Sequence, residues 1–181
     1  MLLCTVAFYF DSGGLTAALL IAAGLHELGH VLASLLMGCR IEKLEFSAFG
    51  IAMEKEERGE FREALITAAG PLVNLFCWYI YGRGTYPFTF LSLLGQASLM
   101  LGIVNLLPAC PLDGWRLVHL FLLKTLPFDV AEKISFWISV LSIFAAGLLG
   151  FFLLTIYRNP SLLAFSGFLC VYLIRQADPH S

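Results

Sequence analysis

From Leu15 to Met37 the chain is a nearly unbroken apolar run, long enough for a bilayer-crossing helix, which takes about 20 residues. Set inside it is Gly24-Leu25-His26-Glu27-Leu28-Gly29-His30. Ionisable side chains at bilayer depth are costly, about 2.5–3.5 kcal/mol each for Asp, Lys and Arg on insertion scales, so such a cluster needs a partner or a task. Helical spacing supplies one. Histidines four apart leave the same face one turn apart, so both imidazoles can share a metal ion, and Glu27 beside them can reach a water on that ion. The pattern is also short enough to arise by chance on a water-facing helix, or as a satisfied polar patch between packed helices.

Composition separates these settings. A soluble domain of 181 residues has about a quarter of its residues charged, whereas this chain has 13% charged, 59% hydrophobic and a mean hydropathy of +0.84. It is expected to be an all-α polytopic membrane protein with one domain over 1–181. The net charge of -2 and scattered Lys and Arg exclude a nucleic-acid surface. Five cysteines without a C-x-x-C pair do not make a disulfide framework and read as small buried residues; Cys110, close to Asp113, is the one to watch.

About six transmembrane segments are expected. The first, Met1 to Phe10, is too short to span, and it lacks the basic leader and cleavage site of a signal peptide. The others are Leu15–Met37, Glu63–Tyr81, Pro87–Leu107, Val130–Ile156 and Pro160–Ile174, with a helix from Trp115 to Leu126. Between Ile41 and Arg62 charges gather, and the alternation of Leu44, Phe46, Ile51 and Met53 with other residues predicts a small membrane-associated β-hairpin turning at or near Gly50. Such a hairpin can offer an edge to an extended substrate, or be no more than a surface loop. Trp78, Trp115 and Trp137 read as interfacial anchors, and His119 as packed or interfacial rather than a ligand.

Lys and Arg lie mostly on one side, in the Arg40–Arg62 segment, at Lys124 and Lys133 and at Arg175, against Arg83 and Arg158 on the other. That side is cytoplasmic by the positive-inside rule. His30, ten residues before Arg40, is then about 15 Å from that end at helical rise, inside the bilayer and nearer the cytoplasm.

Two further stretches carry polar groups to depth. Ala69-Gly70-Pro71-Leu72-Val73-Asn74 combines a kink or close-packing site with an asparagine that is either interhelical glue or a donor to a site. Asn105-Leu106-Leu107-Pro108-Ala109-Cys110-Pro111-Leu112-Asp113-Gly114 breaks regular hydrogen bonding at two prolines, which at membrane depth calls for a protein-lined cavity. A catalytic zinc takes three protein ligands; Asp113 is the best third candidate, although an Asp here also suits the N-cap of the next helix.

Taken in order, these three stretches resemble the site-2 protease family of intramembrane zinc metalloproteases, nearest the subgroup of the stage IV sporulation protease that processes pro-sigma-K, which shares the Asn105–Gly114 pattern and the following Leu126-Pro127-Phe128. The resemblance runs from about Leu15 to Ile174. It implies one Zn2+ per chain on His26, His30 and Asp113, with Glu27 as general base. It further implies that Asn74 and Asn105 line the site, contacting substrate or the developing oxyanion, and that Gly70 and Pro71 serve helix packing. The expected activity is peptide-bond hydrolysis in or near the transmembrane segment of a membrane-associated substrate such as a transcription-factor precursor, within the lipid bilayer and under membrane regulatory proteins. No PDZ or nucleotide-sensing domain is expected in this stretch. The rival is a membrane metal transporter or metal-binding protein, which shares the ligands but has no need of Glu27; a silent chaperone of the same fold and a membrane-anchored protease cutting soluble chains fit the residues less well.

Overall fold

The computed structural model describes residues 14–39, 43–47, 50–54, 59–83 and 90–177. The Met1–Phe10 run, Arg40, Lys55, Arg58 and His180 lie outside the described residues. The chain forms two packed units, 1–105 and 106–181.

In the first unit, α1 (Leu15–Leu36) packs against α2 (Glu60–Cys77) and α3 (Phe90–Asn105), which also pack on each other. The face of α1 that is buried carries Ala18, Ala22, His26, Gly29 and Ser34, a stripe at helical spacing made of small and polar residues. Its large apolar residues point the other way: Leu20, Leu28, Leu32 and Leu36 are exposed, Leu36 at 85%. Water would penalise that arrangement, but lipid favours it, since tails are as apolar as leucine and helices associate there through small residues that let backbones approach. A Cβ placed on Gly29 would lie 2.9 Å from the Ala69 carbonyl oxygen. α1 ends with bonds from Gly38 N to Leu35 O and from Cys39 N to Ser34 O, with Gly38 at φ 69°; the left-handed conformation costs glycine nothing.

α2 buries Ile66, Thr67, Gly70, Pro71, Asn74 and Cys77 and runs on into a π-helical turn, Trp78–Gly82. Pro71 offers no N–H to its own helix, a loss tolerated in membrane helices because neighbours can satisfy the freed carbonyl. Ala18, Ala22, Cys77, Leu94 and Ala97 form the core of this unit. Between α1 and α2, β1 (Lys43–Ser47) pairs antiparallel with β2 (Gly50–Glu54), from Lys43 opposite Glu54 to Ser47 opposite Gly50.

In the second unit, α4 (Asp113–Thr125) and α6 (Ser161–Ala177) each pack on α5 (Phe128–Tyr157). The stretch before α4 is irregular, and its backbone donors are fully accounted for from 108 to 112. Pro108 and Pro111 have none, Ala109 N donates to Leu107 O, Leu112 N to Ala109 O, and Cys110 N to Ser139 Oγ at 2.8 Å. That completeness is what apolar surroundings demand of non-helical backbone. Ala109, Cys110, Ile143, Leu169 and Leu173 form the core. Trp115 is half-buried and stacks on His119, one turn further along α4, with ring centroids 5.2 Å apart, while His119 Nδ1 lies 2.8 Å from Ser135 Oγ. Trp137, 62% accessible, keeps to the outside. Cys39, Cys77, Cys110 and Cys170 are free thiols.

Three helices are long and apolar enough to cross a membrane, Leu15–Leu36, Glu60–Gly82 and Phe128–Tyr157, and α3 and α6 are shorter apolar helices. Close backbone approach generates a stability prediction. A Cβ on Gly95 would stand 2.4 Å from Gly82 N, a backbone atom that cannot swing away, whereas one on Gly167 meets nothing within 4 Å. Gly95→Ala should destabilise the protein by about 1–3 kcal/mol, and Gly167→Ala should be neutral or stabilising by up to about 1 kcal/mol, as read by thermal unfolding in detergent.

Candidate metal centre

His26 and His30 project from the buried face of α1 toward α2. Their rings meet edge to face, centroids 4.7 Å apart and planes at 85°, with the two Nε2 atoms 3.1 Å from each other. Two imidazole nitrogens bound to one tetrahedral zinc at about 2.0–2.1 Å stand roughly 3.3 Å apart, so this pair already has nearly the separation that a shared ion imposes.

The far side of each ring is engaged by α2. His30 Nδ1 lies 2.8 Å from the Ile66 carbonyl oxygen. A carbonyl only accepts, so Nδ1 of His30 carries the proton and its Nε2 presents a lone pair. A backbone or carboxylate acceptor on the outer nitrogen is the usual support of a metal-ligating histidine. His26 Nδ1 is 3.2 Å from the amide nitrogen of Asn74. Between these two contacts lies Gly70: a Cβ there would fall 2.3 Å from His30 Nε2 and 2.9 Å from His26 Cε1. Ile66, Gly70 and Asn74, each four residues from the next, form one stripe of α2, and that stripe is the cradle of the two rings. Ser34 Oγ donates to the His30 carbonyl at 2.8 Å, and Glu27, half-buried, follows His26 on the helix.

The other expected residues are placed as follows. Asp113 is the first residue of α4 and half-buried; Leu112, with extended backbone, takes the N-cap position, so the capping alternative does not claim the aspartate. Asn105 ends α3, and its amide nitrogen donates to Leu101 O at 3.1 Å. The structure brings Asn74 to His26, and Gly70, expected to serve helix packing, makes room for the two imidazole rings. Sequence reasoning did not find Ile66, whose contribution is a main-chain oxygen; its four-residue spacing from Gly70 was the only available signal.

Comparison with known proteins follows from this geometry. The model of peptidase family M50 matches residues 83–146, a stretch that includes Asn105 and Asp113. Stage IV sporulation protein FB of Bacillus subtilis is 32% identical over 124 residues, covering 65% of this chain and 43% of that protein. A zinc metalloprotease of Methanocaldococcus jannaschii is 35% identical over 130 residues, covering 65% and 37%. The solved structure of the site-2 protease from Methanocaldococcus jannaschii superposes with a TM-score of 0.64 at 25% identity, over 91% of this chain and 77% of that one. The chain is similar to site-2 proteases in sequence and in fold. It spans less than half the length of the two curated relatives. It is an integral membrane protein, with three helices long and apolar enough to cross a bilayer.

The cradle makes a sharp prediction about a residue that donates nothing. Gly70→Ala should lower zinc uptake at least about tenfold by displacing both rings, while Gly24→Ala, whose Cβ meets nothing within 4 Å, should leave it unchanged; competition with a chromogenic chelator reads both.

Proposed function

We propose that this chain is a site-2 type zinc metallopeptidase that hydrolyses a peptide bond inside, or at the edge of, a membrane segment of a protein substrate. The observation that carries this reading is the pair of facing Nε2 atoms on a lipid-embedded helix, one of them backed by a carbonyl that can only accept. Two imidazole nitrogens held face to face at this separation suit a shared cation, and the adjacent Glu27 is what a hydrolase needs and a transporter does not.

Asp113 is the proposed third ligand. It is a carboxylate in an apolar stretch, it stands in the segment matched by the family model, and it begins a helix directly after a break whose backbone donors from 108 to 112 are all accounted for. Two imidazoles and one carboxylate leave a zinc ion an open coordination position. When bound, zinc would supply Lewis acidity, lowering the pKa of a coordinated water to about 7 and polarising the scissile carbonyl. Glu27 takes the proton of the attacking water and returns it to the leaving amine nitrogen. Asn105, at the end of α3, is the proposed polar contact for substrate or for the developing oxyanion.

A helical substrate hides its carbonyls in i to i−4 hydrogen bonds and must unwind locally before attack. The β1–β2 ladder has outer edges on which an unwound segment can add as a strand. A membrane-associated hairpin beside the site and about six crossings in all complete the proposed architecture. Arg62, Lys124, Lys133 and Arg175 against Arg83 and Arg158 argue for a site opening toward the cytoplasm, where a membrane-tethered transcription-factor precursor is a fitting substrate, with membrane proteins as regulators.

Co-expression with membrane-tethered precursors tests the reading. Glu27→Gln should retain zinc and lose cleavage by about 10²–10⁴-fold. Asp113→Ala should lose cleavage together with zinc, by more than the about 10–100-fold that outer-shell changes cost. Equal cleavage by wild type and Glu27→Gln would overturn the assignment.

A further inference from the structure

His26 and His30 are held by partners of different kinds. His30 is backed by the Ile66 carbonyl, which fixes its proton on Nδ1. His26 is backed by the Asn74 side-chain amide, which can present either its NH2 or its oxygen. As placed, Asn74 Nδ2 faces His26 Nδ1 at 3.2 Å. That orientation puts the His26 lone pair on Nδ1 and, in the neutral ring, the proton on Nε2, where it points at His30 Nε2 3.1 Å away. The arrangement is coherent as a hydrogen-bonded imidazole pair, but it leaves His26 without a ligating Nε2. It also has a local defect: Asn74 is fully buried, at 0% exposure, and its Oδ1 is buried with no hydrogen-bond partner among the described residues. A buried amide oxygen without a donor costs about 1–3 kcal/mol.

Turning the Asn74 amide over gives Oδ1 the partner it lacks and frees His26 Nε2. Oδ1 then accepts from His26 Nδ1–H, the orphaned acceptor is satisfied, and the lone pair of His26 moves to Nε2, facing that of His30. Resting on the zinc reading above, we propose that Asn74 is a positioning residue for the metal. Its amide oxygen selects the His26 tautomer that binds zinc, and its NH2 group supports the alternative tautomer of the metal-free pair. Asn74 is thereby assigned to the ligand rather than to the substrate carbonyl. A residue that only accepts would hold the ligating tautomer permanently, and one that does neither would leave it unselected.

The test is zinc affinity of the full chain in detergent, measured by chelator competition with zinc alone as the probe, for wild type, Asn74→Asp and Asn74→Leu. Leucine, similar in size but without a hydrogen bond, should weaken binding about 10–100-fold. Aspartate, which can only accept when ionised, should bind as tightly as wild type or more tightly. This rescue is one that a packing role for Asn74 would not predict. If Asn74→Leu does not fold, the aspartate variant decides alone, and binding more than about tenfold weaker than wild type overturns the proposal. Equal zinc affinity in all three proteins, with cleavage lost in both variants, overturns it as well and returns Asn74 to a substrate contact while the zinc site stands. A wild-type chain that takes up no zinc overturns the zinc site and this proposal together.

Discussion

The close approach of α1 and α2 is the constraint from which the first unit follows. In lipid there is no hydrophobic gain in bringing two apolar helices together, so association depends on packing of small residues and on polar groups that find each other. Gly29 against the Ala69 carbonyl and Gly70 against the imidazoles are the points where any side chain would intrude. Fold and site are therefore the same surface. The residues that let the helices meet also leave the space that two rings fill, and those rings return hydrogen bonds to the helix that made room for them. The burial pattern agrees: Ala18, Ala22 and Ser34 face inward, while leucines cover the outside.

The second unit solves a different problem. An irregular segment in apolar surroundings must satisfy its own backbone, and here this is done partly by subtraction. Prolines at 108 and 111 remove two donors, neighbouring carbonyls take two more, and Ser139 takes the N–H of Cys110. The break is built from residues that make a break tolerable, and it delivers Asp113 to the head of α4 with its capping position already held by Leu112. Further along, α5 buries Ala131, Ser135, Ser139 and Gly150 and turns Phe144, Leu148, Phe151 and Phe152 outward, the same small-in, large-out arrangement that shapes α1.

How far this was legible in the sequence depends on what carried each feature. Apolar runs and their breaks located the helices to within a few residues, because chain length and bilayer thickness leave little choice: Val130–Ile156 was expected and Phe128–Tyr157 is observed. The spacing of His26 and His30 was legible because a helix period determines it. Contributions through the main chain, or through an absent side chain, were not. Ile66 supports His30 with a carbonyl that every residue possesses, and the value of Gly70 lies in what it lacks. The stacking of Trp115 on His119 follows from the same helix period, one turn apart on α4, whereas the contact of His119 with Ser135 joins two helices and no local pattern announces it.

On the proposed zinc reading, the two imidazoles explain how a helix can hold a metal site in a medium that penalises it. A rigid acceptor behind both histidines would fix two facing lone pairs, and the metal-free protein would bear their repulsion at low dielectric, where it is strongest. A donor behind both would forbid the ion. One carbonyl and one reversible amide avoid either extreme. In the proposed arrangement His30 keeps a lone pair on Nε2, and His26 lends its Nε2 proton to His30 until an ion takes its place. On this account the four-residue rhythm of Ile66, Gly70 and Asn74 matters as much as that of the histidines. It sets a fixed acceptor, an empty space and a turnable amide along one face of α2, in the order in which the rings of α1 require them.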